Sequence, residues 1–392
     1  MSNSLQSRSR ALLLEWLSLA LRAVDGRARV SAALAAPDIA AMIGGHRGVV
    51  VLAAGKAASR MTLGAYDALG PRILRALVIT RAGHADAELR ECRNCSVIEA
   101  AHPVPDERSL AAGARLTAEV ERLAPGELPL LLVSGGASSL VEVLAPGVAL
   151  EELAALNREL LAAGAAIEAI NVRRRKVSLI KGGALIERFG GKAALALFIS
   201  DVPHDDPAVI GSGLAGPVPG DRVRRRVIAG IDDAVDAVRA AASAAGCRVR
   251  AGAARFAGDA ATLGACFATE LAARNTEVLV SGGESTVCLP REPGRGGRNQ
   301  HLALAAARAL RGGAGLTLLA VGTDGTDGST DDAGALVDGG TWQRIADAGY
   351  DGDDCLVRAD AGTALEAAGD LVHTGATGTN VGDLVIGLAR VV

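Results

Sequence analysis

Six short runs rich in Val, Leu, Ile and Ala, five of them stopping at Gly, Ser or Asp, set the tightest limit on what this chain can fold into. They are GVVVLAAG (48–55), ALVIT (76–80), LPLLLVSGG (128–136), ALALFISD (194–201), EVLVSGG (277–283) and LTLLAVGTDG (316–325). Runs this short and this uniformly apolar read as strands covered on both faces. Stretches of helical spacing lie between them, such as ERSLAAGARLTAEVERLA and LEELAALNRELLAAGAAIEAI. Alternation of the two predicts an α/β chain of mainly parallel or mixed sheets flanked by helices. A length of 392 residues is more than one core usually holds, so two domains are expected. The stretch DRVRRRVIAGIDDAVDAVRAAASAAGCRV reads as a helix leading away from the first strands, and FAGDAATLGACFATELAARN leads into the second set. The division is therefore expected near residue 255, giving domains 1–255 and 256–392.

Composition removes several function classes. Mean hydropathy is +0.28, yet no run of about 18 uncharged apolar residues occurs, so no spanning helix is expected. The N-terminal SRSRALLLEWLSLALRAVDG is interrupted by Glu15 and Arg22 and reads as an amphipathic helix rather than a signal peptide. A cytoplasmic protein without a membrane partner is the expectation. A net charge of −3 and 2% aromatics do not suit a nucleic-acid binder, which needs a basic patch and often stacking rings. The one dense basic run, Arg222–Arg226, reads as a solvated helix face. Six scattered cysteines, with Cys92 and Cys95 as a lone CxxC, suit free thiols better than a disulfide scaffold or a zinc site.

The polar signals cluster where the apolar runs end, which is where open α/β sheets bind ligands. Only four of the 41 basic residues are lysine, and Lys56 and Lys181 both sit beside glycine. Lysine supplies a compact point charge that arginine does not mimic. Ser134-Gly135-Gly136 and Ser281-Gly282-Gly283 repeat one pattern after two apolar runs. Each reads either as a tight turn or as a loop whose N–H groups face an anion, with Ser138, Ser139, Ser285 and Thr286 available as caps or donors. Arg295 and Arg298 approach the helix that Arg298-Asn299-Gln300 would open, where an arginine fork can hold carboxylate or phosphate. Asp201, Asp205 and Asp206, and Asp324, Asp327, Asp331 and Asp332, suit Mg²⁺ or a general base, although Asp-Gly also simply favours turns. No Walker sequence is present. The single G-x-G-x-x-G, at Gly211, Gly213 and Gly216, is not followed by a helix start. Cations, glycine-rich loops and carboxylates together suit phosphoryl transfer, which needs alignment and charge neutralisation more than a nucleophile.

These motifs also carry a resemblance. AGKA, AHPVPDE, LLLVSGGASSL, INVRRRKVSLIKGG, ISDVPHDDP, SGGESTV, GRGGRNQ, GTDGTDGSTDDAG and TGATGTNVGDL, in this order, resemble the MOFRL-type glycerate 2-kinases along nearly the whole chain. The resemblance implies ATP- and Mg²⁺-dependent phosphorylation of D-glycerate to 2-phosphoglycerate, in a cleft between two α/β domains. Carried over by motif, Lys56, Arg298 and Asp201 become the catalytic residues, with Asp201 and Asp324 as metal ligands. Binding of substrate or nucleotide is implied for Ser134, Gly135, Gly136, Ser138, Asn171, Arg174, Lys181, Ser281, Gly282, Gly283, Glu284, Asn299, Gln300, Thr377 and Asn380. His102 is expected to order a strand-end loop. The partners implied are a small hydroxy acid and a nucleotide, with a homodimer compatible. Departures gather around Asp201, where His204, Gly211, Leu214 and Ala215 replace the family's Gly, Ala, Pro and Thr; Lys176, Ala184 and Ala376 are others. They leave the acceptor more open than the reaction class. The alternatives are a kinase for another small hydroxy acid, a nicotinamide-dependent hydroxypyruvate reductase and a non-catalytic sugar-acid sensor.

Overall fold

The computed structural model describes residues 2–153, 155, 176–218, 220, 222–251, 255–273 and 277–389. They form two compact α/β units. One comprises Val24–Gly230 with Gly378–Val381; the other comprises Met1–Ala23, Ile231–Thr377 and Gly382–Val392. Residues 231–251 thus pack with the C-terminal half, and the division expected near 255 falls inside that unit. The N-terminal helix Ser2–Ala23 is amphipathic as read: Leu13, Trp16, Leu17 and Ala20 are buried while Leu14 is exposed. Its Arg10 donates to the Leu336 carbonyl at 3.0 Å and pairs with Asp338 and Asp370 at 3.1 Å. This explains why the first helix belongs with the last half of the chain. No helix among the described residues is long and apolar enough to cross a membrane.

In the unit of Val24–Gly230, the strands are β1 (Gly48–Ala54), β2 (Ile73–Arg81), β3 (Cys95–Ala100), β4 (Glu127–Val133), β5 (Ala194–Ile199) and β6 (Val223–Ala229). Among the described residues they form one sheet in the order β3-β2-β1-β4-β5-β6, and every pairing is parallel. Every residue of β1, β4 and β5 is buried, as expected for strands covered on both faces. This is the doubly wound order. The chain builds outward from β1 to β3, then returns to β4 on the other side of β1. The carboxyl ends of β1 and β4 therefore flank the crevice where such sheets bind ligands. One correction concerns Arg222–Arg226. Most of this run lies in β6, an edge strand, and Arg224 and Arg226 both pair with Asp38 at 2.8 Å. A helix does begin, but only at Ile231.

The other unit holds β7 (Val249–Ala251), β8 (Phe256–Asp259), β9 (Val278–Thr286), β10 (Leu316–Gly322), β11 (Gly334–Asp338), β12 (Leu371–Val372) and β13 (Asp383–Ala389). The order is β12-β11-β10-β13-β9-β7, with β8 also on β9. β13 runs antiparallel to both β10 and β9, whereas β7 and β8 run parallel to β9. This sheet is mixed.

The second Ser-Gly-Gly does not repeat the first. Ser281, Gly282 and Gly283 lie inside β9 and pair with Val385, Leu384 and Asp383. Their backbone is committed to a ladder, so the anion-holding loop expected there is absent. The glycines serve close approach instead. A Cβ on Gly282 would strike the Ile231 side chain, and one on Gly283 would strike the Phe256 backbone.

Candidate active site

At the crevice between β1 and β4 the two following turns are fastened together. Gly55 leaves β1 at φ +130°, and a Cβ there would collide with Ser134. Lys56 N donates to the Gly135 carbonyl at 2.9 Å, and Ala57 N donates to Ser134 Oγ at 3.0 Å. Gly136 sits at φ +83°, in the left-handed region that glycine enters at little cost, and opens the short helix Ala137–Leu140. A Cβ on Gly136 would lie 3.2 Å from Lys56 Cγ and 3.1 Å from His102 Cδ2. Lys56, His102 and the first Ser-Gly-Gly turn thus converge. His102 follows β3 and reaches this edge.

The loop after β5 brings Asp201 to the same place. A Cβ on Gly135 would overlap both the Asp201 carboxylate and the Asn380 amide. Asn380 is 7% exposed, and its Nδ2 donates to Asp201 Oδ2 at 3.0 Å. It arrives on the four-residue segment Gly378–Val381, which packs with this unit although its flanks belong to the other. Thr379 Oγ1 anchors that segment by donating to the Val24 carbonyl at 2.7 Å. Residues that follow β1, β4 and β5 therefore meet a distant segment in one cluster of the Lys56 stem, a carboxylate, an amide and a glycine turn.

In the other unit, Arg298 opens the helix Arg298–Leu310 as read. Its Nε and Nη2 form a fork on Asp383 at 2.6 and 3.0 Å, and Nη2 also meets Glu284 at 3.0 Å. Asp383 is fully buried while the Arg298 side chain is 38% exposed. Burial disfavours the guanidinium charge, but Asp383 and Glu284 more than reverse this and hold its pKa well above the ordinary value. Arg298 is thus aimed from behind by a buried carboxylate. Asn299 Nδ2 also donates to Asp383, at 3.0 Å. The helix N-terminus is not open to a ligand anion in the way expected. Asn299 N and Gln300 N donate to the Asp327 carboxylate at 3.1 and 2.7 Å, so an internal anion already occupies it. Burial pushes Asp327 up to about 7, with Gln300 N opposing and the Asp383 charge adding to the rise.

The remaining expected residues divide. Asp324 is 5% exposed and accepts from Thr326 N at 3.1 Å and Thr326 Oγ1 at 3.2 Å. Thr377 Oγ1 donates to the Thr323 carbonyl at 2.6 Å, tying TGATG to GTDG. Gln300 Nε2 donates to Thr330 Oγ1 at 2.7 Å, inside the fold. Arg295 is held by Asp332 and Glu366. Lys181 is buried in an ion pair with Glu142. Ser138 is half-buried in the first turn, whereas Glu284 is exposed. Asn171 and Arg174 lie outside the described residues. Asp383 and Glu142 were missed by the sequence reading. Asp383 ends the motif TGATGTNVGDL, but nothing local marks it as the partner of an arginine 85 positions earlier.

Residues 12–242 match the family described as "Domain of unknown function (DUF4147)", and residues 277–383 match the MOFRL family. A D-glycerate 2-kinase of Thermotoga maritima is 36% identical over 87% of this chain and 90% of its own. This chain is a member of the MOFRL-type glycerate 2-kinase family. A protein of Agrobacterium vitis named putative hydroxypyruvate reductase is 39% identical over 86% of each chain, so the family carries both names. A crystal structure of a glycerate kinase from Thermotoga maritima superposes with a TM-score of 0.82 at 33% identity, covering 98% of this chain and all of that one. A Pyrococcus horikoshii structure superposes at 0.71 and 28% identity, covering 97% and 98%. The family is one of enzymes. Ile210, Leu214 and Ala215, which surround the G-x-G-x-x-G of this member, are buried in the core with Ala137 and Leu140.

Proposed function

We propose that this protein is an ATP-dependent kinase that phosphorylates the 2-hydroxyl of D-glycerate, giving 2-phosphoglycerate and ADP in the cytoplasm. The observation that carries the reading is the convergence of Lys56, the Ser134–Gly136 turn, Asp201 and Asn380 at the crevice between β1 and β4. The relatives named glycerate 2-kinase give the substrate. In the reaction the acceptor oxygen forms a bond to the γ-phosphorus. The bond from phosphorus to the bridging oxygen breaks, and ADP leaves. The hydroxyl proton passes to a carboxylate, for which Asp201 is assigned, because Asn380 holds it beside the Gly135 turn. Lys56 and Arg298 are assigned as the cations that neutralise charge on the phosphoryl oxygens. The Gly135–Gly136 turn lets a substrate approach the backbone closely, and the half-buried Ser138 hydroxyl is a donor beside it.

Mg²⁺ is the metal of this reading, and Asp201 and Asp324, each in its own unit, offer the hard carboxylate oxygens it prefers. Magnesium is usually held by one or two carboxylates and completes its shell with substrate phosphate and water. When bound, it would neutralise charge on the phosphate oxygens. Three departures from the family pattern lie in the loop around Asp201. Leu214 and Ala215 are 2% and 0% exposed, so they are spent on packing. His204 remains exposed at φ +65°, where glycine is the easier residue.

The test is ADP release and 2-phosphoglycerate formation by the purified protein with Mg-ATP, with and without D-glycerate. Glycerate-dependent formation of both is the expected result. ADP at background for D-glycerate and for a panel of other small hydroxy acids, with oxidation of reduced nicotinamide on adding hydroxypyruvate, would replace the kinase by the reductase.

A further inference from the structure

Lys181 has the attributes of a phosphate ligand in the sequence, but its surroundings give it other work. Its side chain is 1% exposed and ion-paired with Glu142, whose side chain is 0% exposed. The same ammonium donates to the Ser138 carbonyl at 2.5 Å. Glu142 is held from every side. Its Oε1 accepts from Ser178 Oγ at 2.5 Å and from Val143 N at 3.0 Å. Its own N donates to the Ser109 carbonyl at 3.1 Å, and Gly113 leaves room for its carbonyl, which a Cβ there would strike.

The backbone just after Lys181 reaches a second loop. Gly182 N donates to the Ser212 carbonyl at 3.0 Å, and Gly183 N donates to the Gly213 carbonyl at 2.8 Å. One short segment, 178–183, therefore ties down two loops. The turn after β4 is held through a buried side chain. The loop after β5, which starts at Asp201, is held through backbone. A lysine suits the first task because its three donors leave one atom in different directions, toward a carboxylate and a carbonyl on separate elements. Drawing that ammonium toward a substrate phosphate would leave Glu142 buried without its counter-charge, which a protein interior strongly disfavours.

We propose that Lys181 and Glu142 are positioning residues, a buried ion pair that sets the Ser138 turn against the 212–213 loop, and that Lys181 does not touch the transferred phosphoryl group. The inference rests on the reading of Ser138 and Asp201 as site residues. The test compares the wild type with Lys181→Met, Glu142→Gln and the double variant, using full-length protein, Mg-ATP and D-glycerate. Lys181→Met strands a buried carboxylate and should lower kcat at least thirtyfold. The double variant carries no buried charge, and its glutamine still accepts from Ser178 and Val143. It should recover at least tenfold of that loss. A lysine that touched phosphate could not be rescued by a change at Glu142. A folded double variant as inactive as Lys181→Met would therefore overturn the proposal. If Lys181→Met does not fold, the double variant is judged directly: kcat within tenfold of wild type supports the pair, and a hundredfold loss in a folded protein overturns it. Amide hydrogen exchange supplies a readout independent of turnover. Glu142→Gln weakens the pair and should speed exchange across both 135–140 and 210–216, whereas unchanged protection in either loop overturns the coupling. If the wild type transfers no phosphoryl group, the functional reading fails, and exchange still decides whether the pair couples the loops.

Discussion

Gly135→Ala is the sharpest test of how the Asp201 cluster is built. Gly135 does not occupy the left-handed region, so alanine meets no backbone penalty there, and the only addition is one methyl group. That methyl carbon would lie 1.8 Å from Asp201 Oδ2, where ordinary contact begins at 3.4 Å. The carboxylate oxygen must retreat by the difference, 3.4 − 1.8 or about 1.6 Å. The Asn380 amide is overlapped as well, so the 3.0 Å bond between the two is broken or stretched. A hydrogen bond to a charged group contributes about 1.5–3 kcal/mol. Asp201 is only half-buried, so about 1 kcal/mol of lost stability is expected. The larger effect is on rate, because misplacing a reacting group by about 1 Å costs on the order of 10²-fold. The assay is steady-state ADP release with D-glycerate, beside thermal unfolding of the same samples. Gly44→Ala is the control, since nothing lies within 4 Å of its added methyl, and its turnover should match wild type. Turnover of Gly135→Ala within threefold of wild type, at unchanged stability, would refute the placement of Asp201 as a working group.

Three further outcomes follow from the same geometry. Arg298→Ala should abolish most turnover and also cost about 2 kcal/mol, because it leaves the fully buried Asp383 without its fork; Arg298→Ala with Asp383→Asn should regain stability in chemical denaturation but not activity. Asp327 has a folded pKa of about 7 against an ordinary 3.8, so the folded state binds this proton more tightly than the unfolded chain. Its contribution is complete below pH 3.8 and is lost as pH rises through about 7; wild type should therefore lose ground to Asp327→Asn over this window by on the order of 1 kcal/mol per pH unit, and a flat difference in denaturant titrations would contradict the shift. Gly283→Ala should destabilise by about 1–3 kcal/mol through overpacking against the Phe256 backbone; unchanged melting would show that β9 and β8 do not approach as closely as described.

The six apolar runs were legible because each is a strand whose whole length is buried or nearly so. β6 was not, since arginines at 224–226 break the apolar signature. At the sheet edge an arginine can extend past the core to Asp38. The Lys56 turn, the first Ser-Gly-Gly and Asp201 were legible because their motifs end buried strands, and the doubly wound order then brings such ends together. The second Ser-Gly-Gly shows the limit of that reasoning. A Gly-Gly pair signals a turn or a close approach equally well. Only the elements across from it, Ile231 and Phe256, decide between them, and neither is a local neighbour. Asp383 and Glu142 escaped for the same reason: a buried carboxylate acquires its meaning from the cation it meets, 85 positions away for Arg298 and 39 for Lys181.

The retained lysines acquire a physical explanation here. Arginine serves nearly every basic position of this chain, and a buried position such as that of Lys181 is one where a fork does not fit. Lys56 lies half-buried, with its Cγ close to Gly136. Lys181 must reach a carboxylate and a carbonyl from a volume closed to solvent. Both positions suit a small charge on a flexible stem, and the proposed roles differ: Lys56 is assigned to the substrate, while Lys181 is neutralised inside the fold by the buried Glu142. A variant such as Lys56→Arg should therefore fail in catalysis while folding normally, whereas Lys181→Arg should fail in folding first, because the extra atoms have no solvent to enter.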